Sequence, residues 1–269
     1  MRASHFITVM LSKKPVCLLL LSMTFFSMLH ADSRAKLDGP KIVAALKNSY
    51  GDRAAKRGTA WFKLMQPDAS LSEKDILKKV NRFFNLFQFV DDIKLWGVKN
   101  YWATPVEFIG VNGGDCEDFS IAKYFTLLEL GIADEKMRIT MVKAVNLNQY
   151  HMVLSYYATP ASIPVILDNI DGAIKPANQR KDLVPIYSFN GSQLWLNKDR
   201  GRSVSSGDSS RLKRWRDLRQ RINTAKLKQP KLKLEFKSND PISTDKLITI
   251  WTFSTGHDQF SVFSVHSNP

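Results

Sequence analysis

Two residue types are scarce in this sequence, and both are suited to nucleophilic catalysis. Between residues 32 and 223 the chain has one cysteine, Cys116, and one histidine, His151. A thiol attacks a carbonyl as its thiolate, so it needs a nearby base, and a third group must hold the imidazole in the correct tautomer. Asp168 is the candidate for this third role. Each residue alone is more often structural, but their conjunction predicts a Cys-His-Asp triad.

Three acidic residues surround the candidate nucleophile: Asp115, Glu117 and Asp118. A carboxylate 8 Å from a thiolate disfavours it by about 2 kcal/mol at an effective dielectric near 20. That penalty exceeds the benefit of a helix N-terminus, which is about 1 kcal/mol. Some of the negative charge must therefore be neutralised. Carboxylates at this spacing suit Ca²⁺, but Asp115 could equally cap a helix while the other two face solvent, and the spacing alone leaves both open.

The elements that position these residues follow from the local pattern. Asp115 is a plausible N-cap with Asp118 three residues later, and the apolar residues that follow run to Gly131, so Cys116 is expected in the first turn of a buried helix. Three β-rich segments come next, at Ile139 to Val145, Tyr150 to Tyr157 and Pro164 to Ile170. They place His151 and Asp168 on neighbouring strands.

The remaining pattern predicts helices before the strands and one helix after them. Residues 38–65 and 72–87 have helical periodicity, residues 88–114 are irregular, and a basic helix is expected at 209–223. A hairpin is expected at Asn190-Gly191. Trp96 and Trp102, in the irregular segment, are either a cleft wall or part of the core. This layout is typical of an α+β domain.

The N-terminus predicts export to the periplasm. Lys13 and Lys14 precede an apolar run from Pro15 to Leu29, as in a cleavable signal peptide at residues 1–31; an uncleaved anchor is the alternative. Cys17 lies at the start of the run, which argues against a lipoprotein. The mature chain would then hold a single thiol and form no internal disulfide. We expect a protease domain at 32–223 and a C-terminal tail of unknown role at 224–269.

The formal charge is +14, and much of it lies between residues 200 and 230, where ten Lys/Arg face two Asp. A basic patch can bind nucleic acid, but an exported protein rarely meets it, and no stacking aromatic residues accompany this one. We therefore expect no nucleic-acid partner. A solvated amphipathic helix is the simpler interpretation, and attraction to an anionic surface or acidic partner is the other. Contact with a membrane would be peripheral at most.

A family resemblance rests on specific segments. The stretch FVDDIKLWGVKNYWATPVEFIGVNGGDCEDFSIAKYFTLLELGI, from Phe89 to Ile132, resembles the bacterial transglutaminase-like cysteine proteinases, and in particular the LapG-type periplasmic adhesin proteases. The likeness continues through YHMVL around His151, ILDNI around Asp168, and the LWLN and RWRDL segments. The block DCEDFSIAKY is specific to that family, whereas the bare order Cys-His-Asp is not.

The resemblance implies a papain/transglutaminase-like core, with N-terminal helices packed on an antiparallel sheet, and a triad of Cys116, His151 and Asp168. It implies calcium bound through residues matching Asp115, Glu117 and Asp118. The implied substrate is a large surface adhesin, cut in its N-terminal region so that biofilm disperses. The implied partner is an inner-membrane receptor for cyclic di-GMP that sequesters the protease, for which Trp102 is a candidate contact.

Three other functions fit the same residues. A transglutaminase would transfer the acyl group to an amine instead of water. A cell-wall endopeptidase would act on peptidoglycan in the same compartment. A non-catalytic, calcium-dependent binding module would need neither the thiol nor the imidazole.

Overall fold

The fold is taken from a computed structural model that describes residues 37–198, 202–222 and 226–234. The predicted signal peptide lies outside these residues, as does most of the predicted C-terminal tail. The helices are α1 (Gly39–Tyr50), α2 (Asp52–Leu64), α3 (Glu73–Phe84), α4 (Asp92–Leu95), α5 (Pro105–Val111), α6 (Cys116–Glu129) and α7 (Lys213–Ile222). The strands are β1 (Gln88–Phe89), β2 (Gly113–Gly114), β3 (Met137–Ala144), β4 (Gln149–Tyr156), β5 (Val165–Leu167), β6 (Lys175–Pro176), β7 (Leu183–Phe189), β8 (Gln193–Lys198) and β9 (Arg202–Asp208).

The main sheet has seven strands in the order β6-β5-β4-β3-β7-β8-β9, and all of its neighbouring pairs are antiparallel. Strands β1 and β2 form a separate, short parallel pair. The expected α+β architecture is confirmed. In this sheet β4 lies between β5 and β3, so the strand that carries His151 has a partner on both edges.

One face of the sheet packs on the helices. Ile139, Met152, Leu154, Leu167 and Phe189 are buried there with the core side chains of α2, α3, α5 and α6. Helix α6 is the central helix, and most of its residues are buried, including polar ones such as Lys123 and Thr126. The other face of the sheet carries only a small apolar cluster, of Val142, Val153 and Ile166. This difference follows from the alternation of side chains along strands.

The helical segment at 38–65 forms two helices instead of one. Gly51 separates them with a φ of +87°, a conformation that glycine adopts without steric cost. The strand β9 was not predicted, since its serine-rich sequence lacks the apolar alternation of a strand. Helix α7 buries Trp215 and Leu218, as its amphipathic pattern predicts.

Residues 226–234 pack against the domain, although they fall within the predicted tail. The N–H of Lys231 donates to the carbonyl of Leu95 at 2.8 Å, and the hydroxyl of Tyr50 donates to the carbonyl of Lys228 at 2.6 Å. Leu234 packs on a second small core that contains Leu95 and Trp96. No helix among the described residues is long and apolar enough to cross a membrane.

Candidate active site

Cys116 is the first residue of α6, and Asp118 fixes the backbone around it. The two carboxylate oxygens of Asp118 accept the N–H of Ala103 at 2.7 Å and, more weakly, the N–H of Asp115 at 3.4 Å. Asp118 is fully buried. The carboxylate lies so close to Gly114 that no Cβ would fit there. The start of α6 is thus tied to the loop before α5.

Helix α6 is also tied to the strand that carries His151. The Ser120 hydroxyl lies 3.0 Å from the carbonyl oxygens of both Cys116 and Met152. The backbone N–H of Met152 is within hydrogen-bonding reach of the Cys116 sulfur. Because Met152 directly follows His151, these contacts join the start of α6 to the strand that carries the histidine.

His151 and Asp168 form a buried pair. The Nε2 of His151 lies 2.7 Å from Oδ1 of Asp168, and each side chain is at most 2% exposed. With Nε2 engaged by the carboxylate, Nδ1 is the nitrogen left to meet a thiol. A carboxylate on one ring nitrogen fixes the tautomer and orientation of the imidazole. The structure therefore brings together the two strand residues that the sequence singled out.

Asp168 is held by more than the histidine. Its Oδ2 accepts a hydrogen bond from Arg180 Nη2 at 2.8 Å, and its Oδ1 accepts the N–H of Ile170 at 3.0 Å. Burial by itself would raise the pKa of Asp168, but the hydrogen bonds from His151, Ile170 and Arg180 outweigh it and hold the pKa well below its ordinary value. Asp168 is therefore a stable anion at neutral pH.

A second group of acids lies on the other side of Cys116. Oxygen atoms of Asp92, Asp115 and Glu117 lie within 4.8 Å of one another. Burial raises the pKa of Asp115 to about 11, and the charges of Asp118 and Glu117 act in the same direction. Burial likewise raises the pKa of Asp92 to about 7, against the opposing effect of a hydrogen bond from the N–H of Tyr101. Several carboxylates thus lie close together, and the charge of Lys228, which acts to lower the pKa of Asp92, does not offset their burial.

The acidic group fits a hard divalent cation. Oδ1 of Asp92 and Oδ1 of Asp115 are both buried without a hydrogen-bond partner among the described residues. Oxygen-only donors that carry several negative charges are the ligands preferred by Ca²⁺. Of the three residues predicted as ligands, Asp115 and Glu117 belong to this group. The oxygens of Asp118 are instead used by backbone N–H groups, and Asp92 takes the third place.

The thiol interacts with the acidic group directly. Its Sγ lies 3.1 Å from Oε2 of Glu117, to which it donates. Burial raises the pKa of Cys116 well above its usual range, and the charges of Glu117 and Asp115 raise it further. In this arrangement the thiol is protonated and directed to a carboxylate.

Of the two alternatives for Trp96 and Trp102, the structure supports the core, and the expectation that Trp102 contacts a receptor is wrong. Trp96 and Trp102 are 2% and 5% exposed, and Trp102 stacks on Phe189 within the core. Neither ring lines an open cleft, and Trp102 offers almost no surface to a receptor. The sequence alone could not distinguish the two alternatives, because a loop of aromatic and polar residues is compatible with a cleft wall and with a core.

Three functional candidates were missed by the sequence reasoning. Asp92 belongs to an Asp91-Asp92 pair whose only signal was acidity, and Arg180 lies in an irregular segment between strands. Gln88 pairs with Gly113 in the short parallel ladder just before α6, and its Nε2 is buried with no acceptor among the described residues. All three reach the site through tertiary contacts, which their local sequence does not report.

Comparisons with known proteins agree with this geometry. Residues 56–202 match the family model described as bacterial transglutaminase-like cysteine proteinase. The EGTA-treated structure of Legionella pneumophila LapG is 44% identical, with a TM-score of 0.62, over 70% of this chain and 98% of that one. Its calcium-bound structure is 43% identical, with a TM-score of 0.60, over 70% of this chain and 100% of that one. No curated protein matched. The chain belongs to the bacterial transglutaminase-like cysteine proteinases.

Proposed function

We propose that this protein is a calcium-dependent cysteine endopeptidase of the periplasm, which cuts the N-terminal region of a large surface adhesin and thereby disperses biofilm. The observation that carries the catalytic part is the buried His151–Asp168 pair, with His151 on the strand that Ser120 joins to the first turn of the helix that carries Cys116. Membership of a cysteine proteinase family supports the same activity.

The triad performs acyl transfer to water. His151 removes the Cys116 proton through Nδ1, and the thiolate attacks a peptide carbonyl. Asp168 stabilises the imidazolium and keeps its orientation, and Arg180 keeps Asp168 ionised and in place. His151 then protonates the leaving amine, and water hydrolyses the thioester.

The tetrahedral oxyanion needs donors, and the chain offers two candidates. The backbone N–H groups at the start of α6 are the first, because the first turn of a helix leaves such groups without intrahelical partners. The Gln88 side chain is the second, since its Nε2 is a buried donor without an acceptor in the described structure and lies on the strand paired with the approach to Cys116. Such a donor is most valuable in a site from which water is excluded.

Calcium would be held by Asp92, Asp115 and Glu117. When bound, the ion supplies positive charge next to the nucleophile, which favours the thiolate and engages the Glu117 carboxylate that otherwise accepts from the thiol. The calcium-bound and EGTA-treated forms of the Legionella protein support calcium as the ion.

The adhesin, the compartment and the receptor are proposed from the resemblance and the export signal. Exposed apolar side chains at the turn between β3 and β4 supply a surface for an extended substrate next to His151; they are Val145, Leu147 and Tyr150. An inner-membrane receptor for cyclic di-GMP would sequester the enzyme, through a surface other than that of Trp102.

The test is incubation of the purified mature protein with the N-terminal region of a candidate adhesin from the same cell, with Ca²⁺ or with chelator. We expect a single cut with Ca²⁺, none in chelator, recovery with Ca²⁺ in preference to Mg²⁺, and none with Cys116→Ala. Cross-linked products would indicate a transglutaminase, and activity on purified peptidoglycan would indicate a cell-wall enzyme. A Cys116→Ala variant that still disperses biofilm would indicate a binding module.

A further inference from the structure

The outer face of the main sheet, away from the helices, contains a groove of about 570 Å³. Its walls come from β3, β4, β5, β7, β8 and β9, together with the segment that carries Arg180. A cavity of this size is in the range of ligand sites. The catalytic thiol and the acidic group are not part of its lining.

Arg138 is the first notable residue of this groove. Its guanidinium lies 3.9 Å from the Trp195 ring centroid and 4.6 Å from the Tyr157 ring centroid. Its Nε is buried without an acceptor, and no carboxylate in the described part of the chain pairs with it. Two aromatic rings thus hold a cation with its hydrogen-bonding edge unused.

Arg180 is the second notable residue of the groove. It is only 5% exposed and lines the same groove. Its Nη2 and Nε bind Asp168 and Asp182, but its Nη1 is buried without a partner in the described structure. An unsatisfied buried donor on a charged group is costly, and such donors usually meet an acceptor. Two arginines in one groove therefore each have a vacant donor.

The shape of the groove indicates what supplies the acceptors. From β5 to β9 there are five strand spacings of about 4.8 Å, so the groove extends roughly 24 Å across the sheet. That is the length of about seven residues of extended chain. A single small anion would occupy only a small part of it. The lining between the arginines mixes apolar side chains, such as Val142 and Ile166, with hydroxyl groups, such as Thr140 and Ser203.

We propose that this groove binds an extended acidic peptide segment of another protein, with carboxylates that accept hydrogen bonds from Arg138 and Arg180. Carboxylates match the planar fork of the guanidinium, and the apolar lining accommodates the side chains between them. The basic charge of the whole chain favours the approach of such a segment. The groove does not include the thiol or the acidic group, but it shares Arg180 with the proposed triad, because Nη2 of Arg180 binds Asp168.

The test uses the full mature chain carrying Cys116→Ala, so that no peptide is cut. Its binding to an array of heptapeptides with two or three glutamates is compared with binding to the same peptides with glutamine. The best glutamate peptide is then labelled, and its Kd is measured by fluorescence anisotropy with and without millimolar inorganic phosphate. We expect binding that is at least about tenfold weaker for the glutamine peptide, corresponding to one charged pair.

Variants then locate the site. Arg138→Gln removes one guanidinium, and Ser205→Glu adds a negative charge to the exposed wall on β9, far from the triad strands. Each should weaken binding about tenfold or more, while Arg214→Gln, an exposed arginine of α7 with the same charge change, should not. The proposal is overturned if no glutamate peptide binds, if glutamine peptides bind equally, if phosphate binds as tightly as the peptide, or if Arg214→Gln weakens binding as much as Arg138→Gln.

Discussion

Two groups of carboxylates lie in the candidate site, and they differ in their counter-charges. Asp168 has a histidine and an arginine as partners, and its pKa is held low. Asp92 and Asp115 form no ion pair among the described residues and lie next to other carboxylates, and burial raises their pKa values to about 7 and about 11. The first group is complete within the chain, whereas the second requires a cation from outside. The charge of Asp168 is therefore balanced within the chain, whereas the charges of the acidic group would be balanced only when a cation binds.

The largest expected effect on activity concerns Asp168. Asp168→Asn should lower kcat by roughly 10³- to 10⁴-fold, because the amide favours the wrong imidazole tautomer. Calcium binding should be unchanged, since Asp168 is not in the acidic group. Steady-state cleavage kinetics and calcium titration check the two halves of this prediction. Near-normal activity in Asp168→Asn would remove Asp168 from the triad.

The Asp92→Asn variant tests the acidic group. We expect the calcium concentration for half-maximal activity to rise by at least about tenfold, with kcat at saturating calcium much less affected. The neighbouring Asp91→Asn is the matched control, because the Asp91 side chain is 53% exposed and pairs with Lys94. An equal effect of both variants would mean that the acidic group does not hold the ion.

The Arg180→Lys variant tests whether Arg180 positions Asp168 or has only a packing role. Lysine keeps the charge but cannot bind Asp168 and Asp182 together as the guanidinium does. We expect kcat to fall roughly tenfold with KM little changed, through misplacement of the pair. The acidic limb of the kcat/KM pH profile should also move, since Asp168 loses one of the hydrogen bonds that keep it ionised next to His151. A fall in stability alone, with an unchanged profile, would make Arg180 purely structural.

The smallest effect is the dependence of stability on pH in excess chelator. A carboxyl with a raised pKa in the folded state binds its proton there more tightly than in the unfolded chain, so stability falls as pH rises from about 4 through the folded-state pKa. Asp92 and Asp115 should thus lower Tm by a few degrees, about 5 °C, between pH 5 and pH 8. Asp168 acts in the opposite sense and only below about pH 4. Thermal unfolding by circular dichroism checks this; a Tm in chelator that rises over the same range would contradict it.

The sequence predicted the proposed triad better than it predicted the acidic group and Arg180. Cys116 at a helix start, and His151 and Asp168 on adjacent strands, follow from capping signals and alternation, which are local properties. Asp92 reaches the acidic group from α4, and Arg180 reaches Asp168 from a segment without regular structure, so neither has a periodic signal. Asp118 has the spacing of a ligand, but its two backbone donors are visible only in three dimensions.

The fold was predictable to a similar degree. The strands that bear the triad were found within a few residues, because their β-branched and aromatic content is high. The break at Gly51 and the strand β9 were not found, since a single glycine and a serine-rich segment carry weak signals.

The contacts of residues 221 and 228 have a practical consequence for anyone shortening this chain. Arg221 hydrogen-bonds the Tyr101 hydroxyl, and Lys228 lies over the Tyr101 ring. The backbone N–H of Tyr101 in turn donates a hydrogen bond to Asp92, which belongs to the acidic group. A fragment trimmed to residues 56–202 would keep Cys116, His151 and Asp168 but lose these contacts, so we expect it to bind the proposed calcium ion more weakly than the longer chain.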